Sequence, residues 1–368
     1  MNNPKRIDVF YRDRLAGILA ETSLGKIGFQ YADAWLDSGF SISPISLPLR
    51  PGVFYAPNDH FEGLFGVFAD SLPDGWGQLL LERSLRQEGV DYSKLPPLTK
   101  LALINENGLG ALTYRPHLET TLAPLFTDLD ELAQDSFRLF EGPLAPKAID
   151  ALRYYGGSSG GARPKIHYFD GTDYWIIKFP FSGDPKNIGR YEYEANRLAQ
   201  ECGIATADCH LFPSKLTEGY FGSKRFDRKG QERIHMISLA GLLEQTILIP
   251  NLDYAHLFQV LKLIDPDSDD LYEAFRRLCF NAFLPNRDDH GKNFTFLYDE
   301  ASKSYRLSPA FDLTYSPNKS EHEMRVFGAG NPGEKDLLGL AAKLNMSRQR
   351  SKAILAKVKQ VLATAKFS

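Results

Sequence analysis

Two lobes of α+β character are the fold class that the 368-residue sequence predicts, and three observations predict it. Apolar residues recur with period two early in the chain, as half-buried strands require. Beyond about residue 236 they recur mostly with helical spacing. The length also exceeds what one core organises, since cores stop growing at about 250–300 residues. Strands early and helices late argue against a doubly wound sheet, in which the two alternate.

The elements follow in order. Ile7, Val9 and Tyr11 give the first strand pattern, and Ile27, Phe29 and Tyr31 another. SLPDGWGQLLLERSLRQ turns helical from Asp74, with Trp76, Leu79 and Leu80 on one face. KLPPLTK and YRPHLETTLAP are proline-bearing connectors, and the second closes a mixed N-terminal subdomain over 1–118. A second segment, 119–235, begins with an amphipathic helix over 127–140. Thr127 caps it, and Leu129, Leu132, Ala133, Phe137 and Phe140 fall at helical spacing. Strands over Pro164–Phe169 and Tyr174–Phe179 flank Asp170-Gly171, a pair that favours a hairpin turn. Ala195, Leu198, Ala199 and Cys202 line the next helix. In the mainly helical segment 236–368, Leu271, Phe275, Leu278, Cys279 and Ala282 make one stripe. Ile354, Leu355, Val358, Val361 and Leu362 make another.

Composition narrows the function classes. A formal charge of −3, from 43 Lys+Arg against 46 Asp+Glu, argues against a protein that coats a polyanion. Three cysteines, Cys202, Cys209 and Cys279, give no disulfide framework, and with His210 they match no zinc spacing. No run of 18 apolar residues occurs and the N-terminal stretch has no apolar signal core. A cytoplasmic protein without membrane contact is the expectation.

The densest polar cluster is FLPNRDDHGKNFTFLYD, residues 283–299, between an apolar helix and an alternating aromatic run. Four residues separate Asp288 from Asn293. Protein-kinase catalytic loops use this spacing, with the Asp accepting a hydroxyl proton and the Asn holding magnesium. Asp289 stands one residue too close for the pattern, so Asp288 is the expected base. A surface turn has the same composition. Asp312, in SPAFDLTYSPN, offers a second hard oxygen ligand for Mg2+; a turn-capping Asp is its plain alternative.

Two features precede that loop. YYGGSSGGARPKIHY, residues 154–168, places glycines and serines before a strand, where backbone N–H groups can close over phosphates; read by itself it is a flexible linker. Lys178 ends the apolar strand DYWIIKFP, where a kinase lysine meets the α- and β-phosphates, or where an edge-strand lysine reaches solvent. The helix RYEYEANRLAQECGI supplies Glu192 or Glu194 as its partner. Gly loop, strand Lys, helix Glu, Asp-x4-Asn and a later Asp follow the kinase order of parts. A metal-dependent hydrolase built on Asp288, Asp289, His290 and Asp312 leaves the Gly loop and Lys178 without a role.

These residues also carry a resemblance. The sequence resembles the HipA family of toxin–antitoxin serine/threonine kinases over about residues 5–330. SSGGARPK is similar to the family's serine-bearing loop, IIKFP to its lysine strand and KRFDR to its hinge. DDHGKNF resembles the catalytic loop and LSPAFDLTYS the metal-binding segment, while SLPLR and FADSLPDGWGQLL resemble the amino-terminal subdomain. The resemblance implies a protein-kinase-like two-lobed fold that transfers the ATP γ-phosphate to a protein hydroxyl. Asp288 would be the base, and Asn293 and Asp312 would hold Mg2+. Lys178, Glu192, Gly160, Gly161, Lys292, Lys224 and Phe226 would surround ATP. Autophosphorylation would fall on Ser158 or the adjacent Ser159, adding about −1.5 to −2 charge to the loop. Lys224 departs from the acidic residue common at the family hinge, which puts a side-chain contact to ATP in question. Arg225 and Asp227 would brace the hinge, and His290 and Lys292 would support the loop. The implied partners are a HipB-like helix-turn-helix antitoxin, DNA only through that antitoxin, and a protein substrate such as a translation factor or an aminoacyl-tRNA synthetase. The alternative within the resemblance is a catalytically weak antitoxin-binding corepressor.

Overall fold

The alternation of the first residues forms a five-stranded antiparallel sheet. Its strands are β1 (Arg6–Tyr11), β2 (Arg14–Glu21), β3 (Ile27–Tyr31), β4 (Val53–Tyr55) and β5 (Leu112–Arg115), in the order β4-β3-β2-β1-β5. Ile7, Val9, Phe29 and Tyr31 are buried, as the period-two pattern requires. The computed structural model of the chain describes residues 3–104, 108–118, 128–142, 144–157, 160–265, 269–316 and 318–364. The chain divides into two compact units. The first comprises 1–189, 211–237 and 241–244, the second 190–210, 238–240 and 245–368.

The helices of the first unit are α1 (Asp33–Ser38), α2 (Gly66–Ala69), α3 (Gly75–Gln87), α4 (Pro97–Ala102), α5 (Leu129–Glu141) and α6 (Pro146–Gly156). Three of them depart from expectation. The prolines of KLPPLTK start α4 rather than break the chain, because Pro97 occupies a first-turn position whose N–H has no intrahelical acceptor. Tyr154, Tyr155 and Gly156 finish α6, so the Gly-rich loop begins later than its composition suggests. In α5, Asp128 is the cap, accepting from the Asp130 N–H; Thr127 lies outside the described residues. The buried face of α5 is Leu132, Ala133, Ser136 and Leu139, whereas Phe137 and Phe140 are partly exposed. Phe140 instead packs against Trp76, at a tilt, and edge-on against Phe181.

A second sheet completes this unit: β6 (Lys165–Phe169), β7 (Tyr174–Lys178), β8 (Cys209–Phe212) and β9 (Tyr220–Lys224), in the order β6-β7-β9-β8. β6 and β7 form the expected hairpin, its turn tied by the Asp170 carboxylate to the N–H groups of Thr172 and Asp173. Trp76 and Leu80 from α3 share one core with Leu132, Leu152, Ile166, Ile177 and Phe179. The residues expected as an N-terminal subdomain thus pack into the core beneath the lysine strand. A small hairpin follows, β10 (Arg228–Lys229) with β11 (Glu232–Arg233).

After β12 (Met236–Ser238) and α8 (Leu239–Leu242), the second unit is mainly helical. It contains most of α7 (Ile188–Glu201), then α9 (Tyr254–Ile264), α10 (Asp270–Phe283), α11 (Glu334–Lys343) and α12 (Arg348–Leu362). α10 packs against α9, α11 and α12 through the predicted stripe, with Phe275, Leu278 and Cys279 fully buried. The aromatic run after α10 is a hairpin, β13 (Thr295–Asp299) with β14 (Ser304–Leu307). The three thiols are free, and burial pushes Cys202 up to about 11. Among the described residues no helix is long and apolar enough to cross a membrane.

Candidate active site

In the second unit, the polar loop leaves α10 at Leu284, whose N–H still bonds the Phe280 carbonyl. A chain of buried hydrogen bonds then fixes it. Asn286 donates from its backbone and side chain to Asn281, and Asn281 Nδ2 donates to the Tyr254 hydroxyl (3.0 Å). Tyr254 in turn donates to Asp289 Oδ2 (2.7 Å). His322 Nδ1 meets the same oxygen at 2.9 Å, and the Glu323 N–H donates to Asp289 Oδ1 at 3.0 Å. Burial, reinforced by the Asp289 charge, pushes the Tyr254 hydroxyl well above its ordinary range. Both Asp289 oxygens are therefore spent inside the protein, and its side chain is 0% exposed.

Asp288 is the opposite case. Its side chain is 44% exposed, and its backbone carbonyl accepts from Asn293 Nδ2 at 2.8 Å. That bond fixes the Asn293 amide by its nitrogen. Asp288 Oδ1 accepts from Lys319, which also donates to Glu323 Oε1 at 2.7 Å. Between Asp288 and Asn293 is Gly291, where a Cβ would stand 2.5 Å from Leu252 Cδ1; a side chain would force the loop outward. The structure thus brings Asp288 and Asn293 together and spends Asp289 on support. Lys292 lies between them in the 3-10 turn Gly291–Asn293.

Asp312 follows a stretch pinned from three sides. The Leu307 N–H bonds Asp270 Oδ2 (2.9 Å), and the buried Arg277 guanidinium bonds the Ser308 carbonyl (2.7 Å) and Glu273 (2.9 Å). The Ala310 N–H bonds the Ala205 carbonyl (2.7 Å). Asp312 itself has φ +55°, a left-handed conformation that Asp tolerates better than most residues. Glu192 is buried in α7, where its carbonyl accepts from Asn196 Nδ2. No group of three or more His, Cys, Asp or Glu side chains able to hold a metal occurs among the described residues. An amide oxygen and a carboxylate do fit magnesium, which takes one or two protein oxygens together with phosphates and water.

The first unit carries the remaining candidates. Lys178 on β7 stands directly opposite Lys165 on β6, so two ammonium groups share one face of the hairpin. Lys178 Nζ lies 5.7 Å from the centroid of Phe221, and the buried Lys165 donates to the Gly160 carbonyl. The Gly loop is held from α3 as well. Asp74 accepts from the Gly161 N–H, the Trp76 N–H donates to the Gly161 carbonyl (2.8 Å), and the Trp76 indole donates to the Lys165 carbonyl (2.9 Å). Gly75, at φ +45°, is what permits this approach, since a Cβ there would lie 2.4 Å from the Gly161 oxygen. Ser158 and Ser159 lie outside the described residues.

In the KRFDR segment, Lys224 pairs with Asp173 at 2.9 Å, and Phe226 is half-buried. Arg225 and Asp227 form a buried bidentate pair, at 2.9 and 2.7 Å, joined by Arg228 at 2.7 Å. Burial opposes the Asp227 charge, but the two guanidiniums outweigh it and hold the carboxyl below its usual range. Arg225, Arg228 and Arg233 all donate to the Gly108 carbonyl, at 2.9, 2.7 and 3.2 Å. Lys165 and Lys319 escape a reading by local pattern, and Asp74 and Trp76 enter it only as a helix start and a core residue. The one available signal is Lys165 itself, a buried lysine that begins the strand KIHYF.

Comparison with known proteins assigns the family. The family model described as HipA-like C-terminal domain matches residues 157–365, and that described as HipA N-terminal domain matches residues 7–115. Two Sinorhizobium fredii proteins are similar in sequence. "Putative kinase Y4dM" is 27% identical, covering 72% of this chain and 68% of its own length; "Putative kinase Y4mE" is 26% identical, covering 83% and 76%. A chain from the Shewanella oneidensis MR-1 complex of HipA, HipB and operator DNA superimposes with a TM-score of 0.72 at 19% identity, over 97% of this chain and 90% of that one. That likeness is one of fold. With both of its domain models matched in order along the sequence, the chain belongs to the HipA family.

Proposed function

We propose that the chain is a serine/threonine-protein kinase that transfers the γ-phosphate of ATP to a protein hydroxyl, and that it acts as the toxin of a toxin–antitoxin pair. The carrying observation is the division of labour between neighbouring aspartates. Asp289 is buried and saturated, while Asp288 is half exposed and bonded through its main chain to Asn293. A general base must reach an incoming hydroxyl, and only Asp288 of the two can. The same saturation removes Asp289 from any two-metal hydrolase. Asn293 and Asp312 would hold Mg2+, which when bound neutralises phosphate charge. Lys178, with Lys165 beside it, would hold the α- and β-phosphates; Glu192, Lys292, Phe226 and the Gly160–Gly161 backbone would complete the nucleotide contacts. Lys224, paired with Asp173, offers adenine no acidic contact.

Self-phosphorylation on Ser158 or Ser159 and a cytoplasmic location belong to this reading. So does a HipB-like antitoxin that brings the protein to DNA, by analogy with the Shewanella oneidensis complex, in which HipA, HipB and operator DNA occur together. The test is incubation of the purified chain with magnesium and γ-labelled ATP. Self-labelling is expected, and Asp288→Asn should reduce it by about 10²–10⁴-fold while leaving stability within about 0.5 kcal/mol. Undiminished labelling in that variant would remove Asp288 as the base.

A further inference from the structure

The segment after Asp312 returns to the catalytic loop and is tied to it at several points. The Arg287 N–H bonds Ser316 Oγ (2.8 Å), and Arg287 Nη1 bonds the Lys319 carbonyl (2.6 Å). Asp289 takes His322 and the Glu323 N–H. The backbone of Lys319 is thus fixed beside residue 288, and its ammonium bridges Asp288 Oδ1 and Glu323 Oε1. Two of its three N–H groups are used in these bonds, leaving one.

Charge supports a role beyond structure. Asp288, Asp289 and Glu323 are joined through Lys319 and the Glu323 N–H, and an incoming phosphoryl group adds more negative charge. Partial burial works against the Lys319 charge, yet the bonds to Asp288 and Glu323 outweigh it and raise the ammonium above its ordinary range. A hydroxyl bonded to the same Asp288 oxygen would lie within about 6 Å of Lys319 Nζ, since two hydrogen bonds of about 2.8 Å would meet there.

We propose that Lys319 is a further catalytic residue, whose remaining N–H contacts the phosphoryl group as it moves to the acceptor. This rests on the kinase reading. In the step, the acceptor oxygen bonds to the γ-phosphorus and the hydroxyl proton passes to Asp288. The bond from that phosphorus to the β–γ bridging oxygen breaks, with its electron pair leaving on ADP. Lys319 supplies charge and exchanges no proton.

The test compares the full chain with Lys319→Met and Lys319→Arg, using labelled magnesium-ATP for self-labelling and ADP release. The rise in thermal midpoint with magnesium-ADP reports nucleotide binding. Lys319→Met should lose about 10²-fold in rate, as removal of one charge-stabilising donor does, with its nucleotide-induced midpoint rise intact. Lys319→Arg should recover to within about tenfold of wild type, because it keeps the cation. Wild-type rates in Lys319→Met, or a loss of rate that only parallels lost nucleotide binding, would overturn the assignment while leaving the kinase reading in place. A wild-type chain that neither binds nor turns over ATP would overturn the kinase reading itself.

Discussion

The Gly loop of the first unit and the Asp288 loop of the second are held by different means. The Asp288 loop stands on a buried network, in which hydrogen bonds link Asn286, Asn281, Tyr254, Asp289 and His322 away from water. The Gly loop hangs from an exposed carboxylate bond, Asp74 to the Gly161 N–H, from one backbone bond to Trp76, and from the Lys165 ammonium on the Gly160 carbonyl. Buried hydrogen bonds to a charged group are individually strong, and exposed ones compete with water. The difference teaches where rigidity is placed: around the carboxylate that would take a proton, and less around the backbone that would admit phosphates.

The largest expected effect comes from breaking the buried side. Asp289→Ala leaves the Tyr254 hydroxyl, His322 Nδ1 and the Glu323 N–H without their acceptor. Three such losses should destabilise by about 3–5 kcal/mol in urea unfolding. A loss below about 1 kcal/mol would place Asp289 outside the supporting framework.

An intermediate effect separates the first unit's interior from its loop. His235 is fully buried with Nε2 donating to the Ile42 carbonyl at 2.8 Å, and burial lowers its pKa to about 4. The unfolded chain binds this proton near pH 6.5, so the contribution is complete above that pH. It is lost as the pH falls toward 4, at up to about 1.4 kcal/mol per pH unit. Urea titrations between pH 7 and 4 should show this slope, and His235→Gln should flatten it. An unchanged slope in the variant would assign the acid sensitivity elsewhere.

The smallest effect is expected at the exposed carboxylate. Asp74→Asn should speed hydrogen exchange at the Gly161 amide by about five- to tenfold, equivalent to roughly 1 kcal/mol, with the urea midpoint nearly unmoved. Global destabilisation by this variant would erase the contrast between the loops.

Much of this was legible in the sequence because it is local. Period two found β1 and β3, Asp170-Gly171 found the hairpin, and Asp288-x4-Asn293 singled out a pair that the fold brings into contact. What escaped depends on distant partners. Asp74 meets Gly161 across 87 positions and Lys319 meets Asp288 across 31, and no period or spacing encodes such meetings. Phe137 shows the limit of spacing even within a helix. It falls on the apolar pattern, but the face that the neighbours cover is centred on Leu132, Ser136 and Leu139, so it stays partly exposed.

Three arginines converging on the Gly108 carbonyl have a practical consequence for anyone who cuts this gene. A product beginning after residue 118 would carry Arg225, Arg228 and Arg233 without the oxygens at Gly108 and Gly110 that receive them, and Asp227 without the Gly110 N–H. It would also expose the hollow that Trp76 and Leu80 fill. Such a fragment should be recovered from inclusion bodies, and should become soluble when residues 1–118 are co-expressed as a separate polypeptide.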